Sequence, residues 1–167
     1  MWNVVALLIF APLAATAGEI GAVRPCGAGP VLGDPLGASL KCYVAGSMHA
    51  VEVGLGANDL GPRAPGAEMW AVYLIHPYDP YRSDHLEVSL HGGGGPVVGR
   101  LWKKPAKPQG SSVTPAAAWG GARLQVGADA DLESLPIQIS LDLGIDLVLR
   151  PKVEVDPVFT LCGRYYF

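Results

Sequence analysis

The segment Ile137-Gln138-Ile139-Ser140-Leu141-Asp142-Leu143-Gly144-Ile145-Asp146-Leu147-Val148-Leu149 decides the fold class. Apolar residues recur at every second position. Successive side chains of an extended strand point to opposite faces, so this period gives one apolar and one polar face. Asp142-Leu143-Gly144, in the middle, carries turn residues and reads as a hairpin link between two short strands.

The same signature recurs on both sides of this segment. In His85–His91, Leu86, Val88 and Leu90 share one face, while His85, Glu87, Ser89 and His91 share the other. Ala38–Ala45 and Met48–Leu55 read as a hairpin across Gly46-Ser47. Met69–His76 is apolar on both faces, as in a covered central strand. Val97–Trp102, Ala122–Val126, Lys152–Val155 and Val158–Phe167 complete the strands, and Ala128–Leu132 reads as one helical turn. Gly92-Gly93-Gly94-Gly95 reads as a flexible hairpin connection; strand-like Pro96-Val97-Val98 follows, without the Lys-Ser/Thr pair of a phosphate loop. The expected fold is all-β: an antiparallel β-sandwich of about eight or nine short strands, with two long Pro/Gly-rich loops at 56–67 and 103–121.

Residues 1–17 read as a secretory signal peptide, an apolar run ending in small residues at Ala15 and Ala17. Met1-Trp2-Asn3 lacks a basic residue, which favours a eukaryotic or viral leader over a bacterial one. Residues 18–37 read as an irregular lead-in punctuated by Pro and Gly, and 38–167 as the sandwich domain. With 22 Gly and 15 Pro beside half apolar residues, the chain still has enough apolar content for a packed core. Net charge is −3 with scattered signs, so nothing offers the clustered cations that nucleic acid requires. After the leader no apolar run approaches a transmembrane helix.

Cys26, Cys42 and Cys162 leave an odd thiol in an oxidising compartment. A bond involving Cys162 closes the longer loop and removes more unfolded-state entropy, so that pairing is favoured. The remaining thiol is either buried or available for a disulfide-linked dimer.

The best binding candidate is the loop 75–85. Tyr78, Tyr81, Arg82 and Asp79 sit between Pro77 and Pro80, in a segment stiffened for docking. Trp102 extends this candidate surface. A weaker reading puts a divalent metal on His85 and Glu87, with a further ligand from His49 or His76 on another strand. No Gly-x-Ser-x-Gly elbow is present, and the carboxylates Asp129/Asp131 and Asp142/Asp146 read as solvated turn residues, so no enzyme and no cofactor are expected.

The leading functional expectation is a secreted, non-enzymatic protein that captures an extracellular protein ligand, in the manner of a virus-encoded immunomodulatory decoy for a host cytokine or chemokine. It rests on architecture alone. Two alternatives stand beside it: an outer-membrane or pore-forming β-barrel, suggested by the alternating Phe159, Leu161, Tyr165 and terminal Phe167, and a metal-dependent secreted enzyme. The barrel ranks second because its strands run to about 9–11 residues, longer than the runs of five to eight or so read here.

Overall fold

A computed structural model describes residues 20, 23–44, 48–58, 66–101, 118–132, 134–150 and 153–167. The expected leader at 1–17 and Trp102 lie outside the described residues. Eight strands follow in chain order: β1 (Cys26–Asp34), β2 (Leu36–Val44), β3 (His49–Asn58), β4 (Gly66–Arg82), β5 (Leu86–Leu101), β6 (Ala118–Leu132), β7 (Ile137–Arg150) and β8 (Glu154–Tyr166). Each pairs antiparallel with its neighbour in sequence, and β8 returns to pair with β1, closing a barrel. The all-β antiparallel expectation holds; the sandwich does not.

Strand length explains the difference. The segment 137–149 is one continuous strand, and Asp142, Leu143 and Gly144 pair in register with Thr160, Phe159 and Val158. Gly92–Gly95, expected to be a hairpin connection, lies inside β5, and Ala128–Leu132, expected to be a helical turn, lies inside β6. Cys26–Asp34, within the expected irregular lead-in, is β1. Sequence punctuation by Asp and Gly was overridden by cross-strand pairing on both sides, because in a closed barrel every strand has two partners. The result is eight strands of 9 to 17 residues.

Glycine has a specific use in β5. Gly95 faces the lumen directly opposite Arg123 on β6. A Cβ there would collide with the Ala71 carbonyl of β4, so only glycine lets β4 and β5 approach this closely. The bare position also gives the Arg123 side chain room to cross toward β4. Gly95→Val is therefore expected to prevent native β4–β5 pairing, read as loss of the folded species in refolding trials; unchanged refolding yield would refute the packing described here.

The prolines of the 75–85 stretch are absorbed by bulges. The β4–β5 register shifts between Ile75 and Tyr78 and again between Tyr78 and Tyr81, one extra β4 residue each time. Pro77 and Pro80 fall in these two gaps, where a missing N–H breaks no ladder bond. The stretch expected to be a loop is thus the far end of a long strand.

The distribution of polarity is inverted relative to a water-soluble domain. Along β7 the inward side chains are Gln138, Ser140, Asp142 and Asp146, all buried, whereas Ile139, Leu141, Leu143 and Ile145 are exposed. Along β8, Thr160, Cys162 and Arg164 face in, and Phe159, Leu161 and Tyr165 face out. On β3 and β4, Glu52, Glu68 and His76 are buried while Val51, Val53, Leu55, Met69, Tyr73 and Ile75 are exposed. An apolar minority, including Val31, Trp70, Val72, Leu74, Val97 and Trp119, packs inside among the polar groups.

Candidate functional site

The lumen is the site, and ion pairs contributed by strands distant in sequence fill it. Arg123, 1% exposed, reaches from β6 in two directions. Its Nε donates to Asp146 Oδ1 at 2.8 Å and its Nη2 to Asp146 Oδ2 at 2.9 Å, a bidentate pair with β7. The same Nη2 donates to Glu68 on β4. The guanidinium lies 4.8 Å from the Trp70 ring centre, over its face. A second arginine, Arg164 on β8, pairs with Glu52 Oε1 at 2.8 Å and donates to Ser140 Oγ at 2.6 Å and Ser39 Oγ at 3.0 Å.

The third cluster centres on Asp129 of β6, fully buried. Lys41 Nζ from β2 stands 2.5 Å from its Oδ2, and Ser140 Oγ donates to its Oδ1 at 2.5 Å. Two histidines approach the same Oδ2: His76 Nε2 at 3.1 Å and His91 Nδ1 at 3.2 Å. His91 Nε2 also meets Asp142 Oδ1 at 2.6 Å. Nearer the end where β1 begins and β8 finishes, Gln138 Nε2 donates to Asp131 at 2.7 Å and to Tyr43 Oη at 3.0 Å, and Tyr166 Oη donates to Gln138 Oε1 at 3.0 Å. Buried charges are tolerated only when paired; Arg123, Arg164 and Lys41 each have a carboxylate partner, while His76 Nδ1 and His91 Nδ1 are buried without a hydrogen bond.

The residues expected to bind ligand fall elsewhere. Tyr78 and Tyr81 pair with Leu90 and Val88 and point outward, both exposed. Arg82 and Asp79 line a small polar recess at the mouth of the barrel, together with His76, Glu87 and Asp131. Arg82 stands 3.6 Å from Glu87 in a partly exposed ion pair. The His85–Glu87 metal pair is not assembled: His85 is in the exposed turn after β4, whereas Glu87 faces the recess beside Arg82. His49 bonds Tyr73 Oη through Nδ1 at 2.8 Å on the outer wall.

The cysteine pairing also differs from expectation. Cys26 and Cys42 face each other across β1 and β2 and form the disulfide. Cys162 points into the lumen, buried beside Asp142 and Thr160, where no second chain reaches it. Register, not loop entropy, selects the partner: Cys162 pairs along β8 with Val31, five residues from Cys26.

No protein-family model and no curated protein matches the chain. The chain is similar in fold to the N-terminal β-barrel domain of Pseudomonas aeruginosa OprF. The TM-score is 0.61 at 12% sequence identity, over 86% of this chain and 96% of that one. This likeness and the inverted polarity overturn the leading expectation. A secreted sandwich that captures a soluble cytokine or chemokine has no counterpart in a closed barrel with a charged lumen and an apolar outer wall. Among the described residues no helix is long and apolar enough to cross a membrane, which says nothing of a barrel that crosses with strands.

Sequence reading missed the lumen residues because it assigned the polar face of each strand to water. One signal was present. The polar positions of 137–149 and 158–167 include Arg164, Gln138 and two aspartates flanked on both sides by large apolar residues, the alternation of a barrel whose apolar side faces outward.

Proposed function

We propose that this chain is a membrane-embedded β-barrel of outer-membrane type, with its lumen closed by side chains. The supporting observation is the outer wall: Leu55, Met69, Val98, Leu124, Val126, Ile139, Leu141, Leu143 and Phe159 are all exposed on it. Apolar surface this continuous needs a nonaqueous partner. The strands of β4 to β8, at 13 to 17 residues, exceed what a tilted strand needs to cross. The strand number is even, as in single-chain barrels of this kind.

The connections also fit such an orientation. β2–β3, β4–β5 and β6–β7 are joined over 45–48, 83–85 and 133–136, at the end where β1 begins and β8 finishes. The two longest connections, 59–65 and 102–117, are at the opposite end, beside two short ones at 35 and 151–153. Short turns on the periplasmic side and longer loops outside are the general pattern. Tyr78, Tyr81, Tyr165 and Phe167 gather at the short-turn end, outward and exposed, suited to an interfacial aromatic girdle. In this reading the tyrosines expected to grip a protein ligand anchor the barrel at the bilayer surface.

An eight-stranded barrel has an interior that side chains can fill, and here Arg123, Arg164 and Lys41 with their carboxylates bridge it. The reading is therefore a non-enzymatic spanning scaffold, not a wide pore, its lumen bridged by paired charges. Expression of the full chain behind a bacterial export signal in a double-membrane bacterium tests this. The protein is expected in the membrane fraction, resistant to alkaline carbonate, with a folded form that migrates differently from the boiled one on a denaturing gel. Recovery as a folded monomer in detergent-free buffer would refute the proposal.

A further inference from the structure

We propose that the lumen binds one transition-metal dication of the zinc class through His76, His91 and Asp129. The three side chains come from β4, β5 and β6, and their candidate ligand atoms lie within 4.8 Å of one another, all buried. Around an ion with bonds of about 2.0–2.1 Å, ligand atoms stand roughly 3 to 3.5 Å apart. His76 Nε2 and His91 Nδ1 are 3.1 and 3.2 Å from Asp129 Oδ2. Two imidazoles and one carboxylate form a donor set suited to zinc, copper, nickel or ferrous iron, with the remaining positions left to water.

A second observation points to a ligand. His91 Nδ1 is buried and, although 3.2 Å from the Asp129 carboxylate, makes no aligned hydrogen bond. Its other nitrogen, Nε2, donates to Asp142 at 2.6 Å, so Nδ1 is the nitrogen turned toward the site, where an arriving ion takes the place of any proton on it. That carboxylate–imidazole–site arrangement is the usual outer support of a metal-ligating histidine. Ser140 holds the far oxygen of Asp129 in the same supporting way. The recess at the barrel mouth is lined by His76 itself, by Asp79, Glu87 and Asp131, and by Arg82, which stands beside Glu87, so carboxylates outnumber the one arginine along the entry path.

Lys41 is the competitor. Its ammonium neutralises Asp129 at 2.5 Å and must swing aside when a dication arrives. Asp131, the next inward residue of β6, offers a second anchor. The Tyr43 ring, 5.1 Å from Nζ, flanks the route. Lys41 thus sets the affinity by occupying the charge position of the ion. The site is built from strand residues alone and stands whether or not a bilayer surrounds the wall.

The test uses the full folded chain in detergent micelles after chelator treatment, with Zn2+ in calorimetry and Co2+ as a visible-absorption probe. One ion per chain is expected, with a Co2+ spectrum that includes ligand-field bands. Asp142→Asn, which leaves all three ligands in place, is expected to weaken binding about 10–100-fold. His91→Asn is expected to abolish it, Lys41→Met to tighten it, and a His49→Gln/His85→Gln control to change nothing. Absence of a stoichiometric site in the wild-type chain would overturn the proposal. So would binding that survives both Asp142→Asn and His91→Asn, or that disappears in the surface control. If His91→Asn does not fold, the Asp142→Asn and surface arms decide the matter.

Discussion

Replacing Arg123 by methionine is expected to lower the stability of the folded barrel by about 3–5 kcal/mol, the cost of breaking a buried ion pair from one side. Arg123 holds two carboxylates at once, Glu68 and Asp146, on opposite neighbours of its own strand pair. Methionine keeps much of the side-chain bulk and the contact with Trp70 but provides no donor. Both acids then lose the guanidinium, and Asp146, 1% exposed, loses its bidentate partner; an uncompensated buried charge is among the few causes of large single-site losses. The triple variant Arg123→Met/Glu68→Gln/Asp146→Asn separates charge from packing and is expected to recover most of the loss. Reversible urea unfolding in detergent or lipid measures both. A single variant within 1 kcal/mol or so of wild type would show that the network carries no net pairing energy.

Leu143→Arg is the second large effect, and it distinguishes environments. Leu143 lies in the middle of β7 and is 54% exposed. On a water-soluble protein an exposed leucine can be replaced by arginine within about ±0.5 kcal/mol. On the lipid face of a barrel, arginine near the midplane costs about 2–4 kcal/mol, falling toward zero near the interfaces. The account therefore predicts a loss in that range for Leu143→Arg in vesicles, and a smaller one for Tyr165→Arg near the end of β8. Equal, negligible effects at both positions would mean that water, not lipid, meets the wall.

Much of the fold was legible in the chain, and the errors have specific physical sources. The alternation in 86–91, 137–149 and 158–167 correctly gave extended chain with two unlike faces, though not the strand limits. Pro77, Pro80, Gly92–Gly95 and Asp142-Leu143-Gly144 were read as chain breaks. In the barrel the prolines sit in bulges, and the other two stretches are paired on both sides in mid-strand. Cutting the strands there made them too short for a barrel, which ranked the barrel reading second. The direction of each face is not a local property: alternation says that the two faces differ, and only closure of the sheet says which one is inside. The same ambiguity hid the lumen. His91 was placed on a polar face with His85 and Glu87, but its partners Asp129 and Asp142 are 38 and 51 residues further along the chain and reach it only through the β5–β6–β7 register.

Spin labels placed one at a time at positions 137 to 149, in vesicles, test the central claim most directly. Collision with oxygen reports lipid, and collision with a water-soluble nickel complex reports water. The account predicts high oxygen and low nickel access at Ile139, Leu141, Leu143 and Ile145, low access to both at Ser140, Asp142 and Asp146, and no interruption at 142–144. Nickel access at the outward positions, or a break in the alternation across Asp142-Leu143-Gly144, would contradict it.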